Sequence, residues 1–222
     1  MVVTFYLATL GCKVNQYESH ALREAWTNLG WLETSAPEQA KLILVNSCAV
    51  TARAVADVRA TVRRLHRAAP GASIIITGCA AEVLATELAD LPGVTAVVGQ
   101  SRKEKLLSEI KEIETPTSVA ELEEGTELAK FAEIAACAED TAGAPATAFP
   151  AAGESASKAW NVKTAVPFPA FTVSGYDRSR AVLKVQDGCS HRCTYCIVPL
   201  TRGKARSRAI DDSVSEAKRL LK

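Results

Sequence analysis

No run of about 18 apolar residues occurs anywhere in the 222 residues, so nothing in the sequence reads as a membrane-spanning helix. A surplus of one charge is missing too: 26 Lys and Arg stand against 25 Asp and Glu, a net charge of +1. That balance excludes a chain that binds nucleic acid over its whole surface and leaves only a local contact open. No Lys or Arg precedes the apolar stretch at residues 2–10, and Thr9 stands where a lipoprotein signal would carry Leu ahead of Gly11-Cys12. The chain therefore reads as cytoplasmic. The cysteines also lack an even count. Cys12, Cys48, Cys79, Cys137, Cys189, Cys193 and Cys196 make seven, which in a reducing compartment argues against a disulfide framework and for metal or catalytic use.

What is present is enough chain to bury a core. Residues 2–7, 42–45, 73–77 and 95–98 are compact apolar runs that end in Gly or polar residues, the pattern of strands buried on both faces of a parallel sheet. Between them Leu22, Trp26 and Leu29, then Val55, Val58, Val62 and Leu65, recur at helical spacing. Arg53, Arg59, Arg63, Arg64 and Arg67 lie off the second apolar stripe and read as solvent-facing, and Pro70-Gly71 ends that helix. Strand and helix alternating in this way predict an α/β domain with a doubly wound parallel sheet over residues 1–113.

Residues 114–166 are rich in Ala and Glu without usable period and read as a linker or variable insertion, with one short helix over 118–138 and Cys137 as a bystander. Order resumes at 167. Residues 181–186 (AVLKVQ) read as a strand running into Asp187-Gly188-Cys189. Asp211-Asp212-Ser213 offer helix caps before an apolar face of Val214, Ala217 and Leu221. Residues 167–222 thus hold a single β/α unit. Lacking neighbouring strands, it is expected to leave an apolar face exposed and its loop loosely held.

The strongest chemical signal is Cys189-Ser-His-Arg-Cys193-Thr-Tyr-Cys196, a C-x3-C-x2-C triad on the loop after that strand. Three thiolates on one tight loop can each reach one iron of a cubane cluster and leave the fourth iron open for a substrate. A zinc site is the other reading, but zinc favours C-x2-C pairs with a separate fourth ligand, and His191 would crowd the same ion. A second signal is spread out. Cys12, Cys48 and Cys79 each follow a predicted strand, in "FYLATLGC", "LILVNSC" and "IIITGC". In a parallel sheet those ends share the edge where ligands bind. One such cysteine alone would read as a small core residue; three in register read as a ligand set.

Together "TLGCKVNQYES" (9–19), "VNSCAVT" (45–51), "TGC" (77–79), "LPGVTAVVG" (91–99) and "RAVLKVQDGCSHRCTYCIVPLTRGKARSR" (180–208) resemble the radical-SAM methylthiotransferase family. The likeness covers most of residues 1–113 and 167–222. "LGCKVNQYES" is most similar to the branch that acts on threonylcarbamoyladenosine next to the tRNA anticodon; the isopentenyladenosine and ribosomal-protein branches start differently. The resemblance implies two 4Fe-4S clusters. Cys189, Cys193 and Cys196 would hold the one that cleaves S-adenosylmethionine to a 5′-deoxyadenosyl radical, and Cys12, Cys48 and Cys79 the auxiliary one that handles sulfur. It also implies tRNA as substrate, an electron donor such as flavodoxin or ferredoxin, and a chain continuing through a partial barrel of which 167–222 is the first β/α unit. The cofactor supplies reactivity at the adenine C2–H bond that no side-chain acid or base has.

Weaker features carry two readings each. Tyr195 could pack on the adenosine of S-adenosylmethionine or shield a cluster. Arg202, Lys204, Arg206 and Arg208 could meet phosphate or carboxylate, or form a solvated basic loop. Asn15 and Gln16 could bond to cluster or substrate, or cap a turn. The competing class is an iron-sulfur module without turnover.

Overall fold

The apolar runs become one parallel sheet. The computed structural model describes residues 2–107, 168–176, 180–191 and 193–221; the insertion with its expected helix and Cys137 lie outside the described residues. The elements are β1 (Thr4–Thr9), α1 (Lys13–Asn28), β2 (Leu32–Glu33), β3 (Leu42–Ser47), α2 (Ala52–Ala68), β4 (Ser73–Gly78), α3 (Cys79–Val83), α4 (Ala85–Ala89) and β5 (Val94–Gly99). A 3-10 segment, Gln100–Leu107, follows. Strand order is β2-β1-β3-β4-β5 and every pairing is parallel. The doubly wound α/β fold expected from the alternation is what forms. Edge strand β2 had no signature in the sequence, because two exposed residues cannot show a period.

Side chains alternate across the sheet. Ile43, Val45, Ile74, Ile76 and Val97 face a core closed by Val58, Val62 and Leu65 of α2 and by Ala80, Ala81 and Leu88. Phe5, Leu42, Leu44, Ile75 and Val98 face the other, closed by Tyr17, Leu22 and Trp26 of α1. Phe5 meets Trp26 edge to face at 5.1 Å, and the Trp26 indole N–H donates to the Leu106 carbonyl at 2.9 Å. Thr51 caps α2 by accepting from the Ala54 amide at 3.0 Å.

The C-terminal stretch departs from expectation in three places. Residues 181–186 are not a full strand: only Gln186–Asp187 (β6) pairs, antiparallel, with Arg206–Ser207 (β7). Among the described residues this stretch pairs with its own chain as it returns. Between them lies α5 (Val198–Arg202), and α6 (Ile210–Leu220) follows. Asp211 and Asp212 sit inside the first turn of α6 rather than capping it, where their charge suits the helix dipole. Ile210, Val214 and Leu221 are exposed as expected, yet the stretch is not left without partners. Phe171 and Val173 are buried in the second core, and Val182 and Leu220 pack against it.

Candidate metal centre at the sheet edge

β1 lies between β2 and β3, so the chain reverses direction across the sheet at the gap between β1 and β3. A crevice opens outside the carboxyl ends of strands at such a switch point. Cys12 follows β1, Cys48 follows β3, and Cys79 follows β4 as the first residue of α3. The loops that carry them run tightly together. Gly11 has φ 95°, and a Cβ there would lie 2.5 Å from the Cys48 Cβ and 2.8 Å from its sulfur. Gly78 has φ 100°, and a Cβ there would lie 2.3 Å from the Ser47 carbonyl. Both positions need glycine, by conformation and by space.

Asn15 binds two of these loops. Its side-chain amide donates to the Leu10 and Ser47 carbonyls, each at 2.9 Å. Ser47 in turn donates to the Thr77 carbonyl at 2.6 Å and accepts from the Ala81 amide at 3.3 Å. Cys48 and Cys79 are buried while Cys12 is exposed. Burial pushes the Cys48 thiol pKa up, and negative charge on Cys79 and Cys12 adds to the rise against the amides of Val50 and Ala49.

The second triad lies beside the first. Ile197, next to Cys196, packs against the same core cluster as Leu10, Ala49 and Cys79. The loop is closed at its base. The Cys189 amide donates to the Gly203 carbonyl at 3.0 Å, and the Cys196 amide to the Cys193 carbonyl at 3.1 Å. Gly188 has φ 73°, with no room for a Cβ against the Lys204 carbonyl. Cys193 and Tyr195 are exposed, Tyr195 to 85 %. Among the described residues no three His, Cys, Asp or Glu stand arranged around a single metal ion. Ligands of a cubane each meet a different iron and so are spread wider than ligands of one ion. Three thiols on converging loops, two of them buried, are the soft donor set that such a cluster takes. By donor chemistry the thiols present suit such a group.

A buried ionic network joins the two triads. Glu18 of α1 is fully buried and accepts from Lys103 Nζ at 2.7 Å, Lys184 Nζ at 2.6 Å and Arg202 Nη1 at 2.7 Å. Arg202 also donates to Asp187 Oδ1 and to Asn15 Oδ1, each at 2.9 Å. Lys103 reaches Asn46 Oδ1 at 2.7 Å. Burial by itself would raise the Glu18 carboxyl, but Lys103, Arg202 and Lys184 prevail and hold it well below the usual carboxylate range. Burial lowers the Lys103 ammonium, with Glu18 pulling the other way. For Arg202 burial opposes the charge and the Glu18 carboxylate more than offsets it, with Cys79 contributing in the same direction.

With this geometry in view, comparison with known proteins gives a consistent set of matches. The sequence profile described as uncharacterized protein family UPF0004 matches residues 4–99. A threonylcarbamoyladenosine tRNA methylthiotransferase of Bacillus subtilis (strain 168) is 30 % identical over 220 residues, 99 % of this chain and 41 % of that protein. A tRNA-2-methylthio-N(6)-dimethylallyladenosine synthase of Sphingopyxis alaskensis is 29 % identical over 222 residues, 98 % and 41 %. A ribosomal protein uS12 methylthiotransferase of Treponema denticola is 28 % identical over 220 residues, 96 % and 39 %. The chain matches the N-terminal part of the methylthiotransferase family. It spans about two fifths of the length of these relatives.

The basic run after the second triad has an unexpected place. Arg202 is buried in the network, Arg206 pairs with Asp187 Oδ2 at 2.9 Å, and Arg208 pairs with Glu216 at 2.6 Å. Of the four residues expected to meet phosphate or carboxylate, Lys204 is exposed to solvent, while these arginines meet carboxylates of their own chain. Asn15 is a clamp between loops rather than a ligand of substrate. Glu18, Lys103, Lys184 and Asn46 went unnoticed in the sequence. The signal available was a Glu one helical turn beyond Asn15 on a face otherwise apolar, among Tyr17, Ala21 and Leu22. No helix among the described residues is long and apolar enough to cross a membrane.

Proposed function

We propose that this chain is the cluster-bearing front part of a radical-SAM methylthiotransferase acting on threonylcarbamoyladenosine of cytoplasmic tRNA. One observation carries the reading: thiols at the carboxyl ends of β1, β3 and β4 converge at the switch point of the sheet, and a second cysteine loop packs beside them through Ile197. Cys12, Cys48 and Cys79 would hold one 4Fe-4S cluster, and Cys189, Cys193 and Cys196 the other. Bound there, the clusters supply reductive cleavage of S-adenosylmethionine and delivery of sulfur. The chain's own part is placement. Gly11 and Gly78 let the first three loops close on one another, Asn15 clamps two of them, and exposed Tyr195 presents a ring on the second loop for the adenosine of S-adenosylmethionine. The name of the Bacillus relative, and the "LGCKVNQYES" motif that ends in buried Tyr17, Glu18 and Ser19, support the tRNA branch. A flavodoxin or ferredoxin would supply electrons.

Anaerobic reconstitution with iron and sulfide counting tests the reading. Two clusters per chain are expected, reduced to one by Cys48→Ala and to one by Cys193→Ala. In protein of the relatives' full length, Cys193→Ala should abolish cleavage of S-adenosylmethionine, while Cys48→Ala should spare cleavage and stop methylthio formation. Bound zinc in place of iron, or the same loss of cleavage in both variants, would overturn the assignment of the triads.

A further inference from the structure

The network's geometry singles out one side chain. Arg202 sits at the C-terminal end of α5, just beyond the second cysteine loop, and is 8 % exposed. Its planar guanidinium is shared among three acceptors from different parts of the chain. Asn15 Oδ1 takes one N–H at 2.9 Å, Glu18 accepts at 2.7 and 3.3 Å, and Asp187 Oδ1 accepts at 2.9 Å. Asn15 belongs to the clamp on the Leu10 and Ser47 carbonyls, beside Cys12 and Cys48. Asp187 stands directly before Gly188-Cys189, at the base of the other loop. A fork of fixed geometry bonded to both sides transmits position, which a lysine's single rotating ammonium does not. Glu18 keeps Lys103 and Lys184 as partners whether or not Arg202 is there. Glu18 therefore serves the core of the sheet domain as well, whereas Arg202 acts at the junction.

We propose that Arg202 is a positioning residue that fixes the 189–196 cysteine loop in one relation to the sheet edge carrying Cys12, Cys48 and Cys79. Sequence placed it in a basic run that meets phosphate or carboxylate or lies in solvent; the structure turns it inward, onto carboxylates of its own chain and the clamp of the first triad. The proposal takes its interest from the two-cluster reading but is tested without metal, so failure of either one is recognisable separately.

Nitroxide labels on exposed Cys12 and Cys193, in the full chain with Cys48, Cys79, Cys137, Cys189 and Cys196 changed to Ser, report the distance between the two loops by pulsed dipolar EPR. One narrow distance distribution is expected, broadened by Arg202→Met and not restored by Arg202→Lys. Lys204→Met, next to the network but outside it, should leave the distribution narrow. Asp187→Ala cuts the same tie from the other loop, leaves Glu18 with its three cations, and should broaden the distribution as well. In the unlabelled metal-free chain, Arg202→Met should speed exchange of the Cys189 and Arg208 amides, bonded to the Gly203 and Val185 carbonyls, by about a hundredfold. The amides of β3 and β4 should keep their protection. A distribution that stays narrow in both Arg202→Met and Asp187→Ala, or loss of protection in β3 and β4 together with the loop, would overturn the proposal.

Discussion

At Glu18 a carboxylate with no access to water faces two ammonium groups and a guanidinium, and the sum of charges decides what removing it does. Glu18→Gln keeps the shape but leaves buried Lys103 without an anion, and Arg202 and Lys184 with Asp187 alone, a loss expected to cost about 3–5 kcal/mol in thermal or denaturant unfolding. The pH dependence has a definite sign. The folded carboxyl lies below its ordinary value of 4.5, so its contribution is present above that value and is lost as pH falls toward the depressed one. Thermal melts from about pH 6 down to about pH 3 should show the native chain losing stability in this window more steeply than Glu18→Gln. The cysteines themselves make a second residue-level expectation. In metal-free protein, iodoacetamide should modify Cys12 and Cys193 first and Cys48 and Cys79 last, because the first two are exposed and the last two buried. Peptide mass spectrometry gives the order; early labelling of Cys48 would show that the sheet edge is open.

At the scale of elements, the turns that end β1 and β4 matter more than the helices they begin. Gly78→Ala would place a methyl group 2.3 Å from the Ser47 carbonyl at φ 100°, a clash with backbone that cannot swing away. Gly30 has φ 84° with nothing within 4 Å, so Gly30→Ala meets only the left-handed strain of about 1–2 kcal/mol. The melting temperature should fall clearly further for Gly78→Ala than for Gly30→Ala, and only the former should reduce iron uptake by the first triad. The strands and both long helices were legible in the sequence, because parallel strands buried on two faces are uniformly apolar and α2 repeats Val58, Val62 and Leu65 at helical spacing. The strand expected at 181–186 was not, because an apolar run states that a segment is fit to pair and not with what.

Across the whole molecule, the C-terminal stretch is seated on the sheet domain by two unlike contacts. One is apolar: Phe171 lies in the core formed by α1 and the sheet, and its carbonyl is 2.9 Å from the Tyr17 hydroxyl. The other is polar: the same hydroxyl is 2.8 Å from Glu216, which pairs with Arg208. Burial, then Glu216, raises the Tyr17 pKa, so the ring stays neutral and the contact survives mildly alkaline solution. Phe171→Ala should cost about 3–5 kcal/mol and lower the melting temperature. Val214→Ser, at an exposed site on α6, should stay within about 0.5 kcal/mol of the native chain. Comparable losses in the two variants would mean that α6 is covered by something other than solvent.

The sequence by itself determined the class of fold and carried the cysteine motifs and the likeness to the methylthiotransferases, because each rests on local order: residues a fixed spacing apart, or a short motif at the end of a strand. It also located the edge to which Cys12, Cys48 and Cys79 come, since parallel strands put all their carboxyl ends on one side. Only the tertiary structure decided that the two triads are neighbours, and that Arg202, Arg206 and Arg208 answer carboxylates within the chain. Glu18 and Arg202 are 184 residues apart, and no periodicity or spacing reaches across that distance. A charged side chain reads the same in a sequence whether water or a carboxylate surrounds it; burial alone distinguishes them, and burial belongs to the fold.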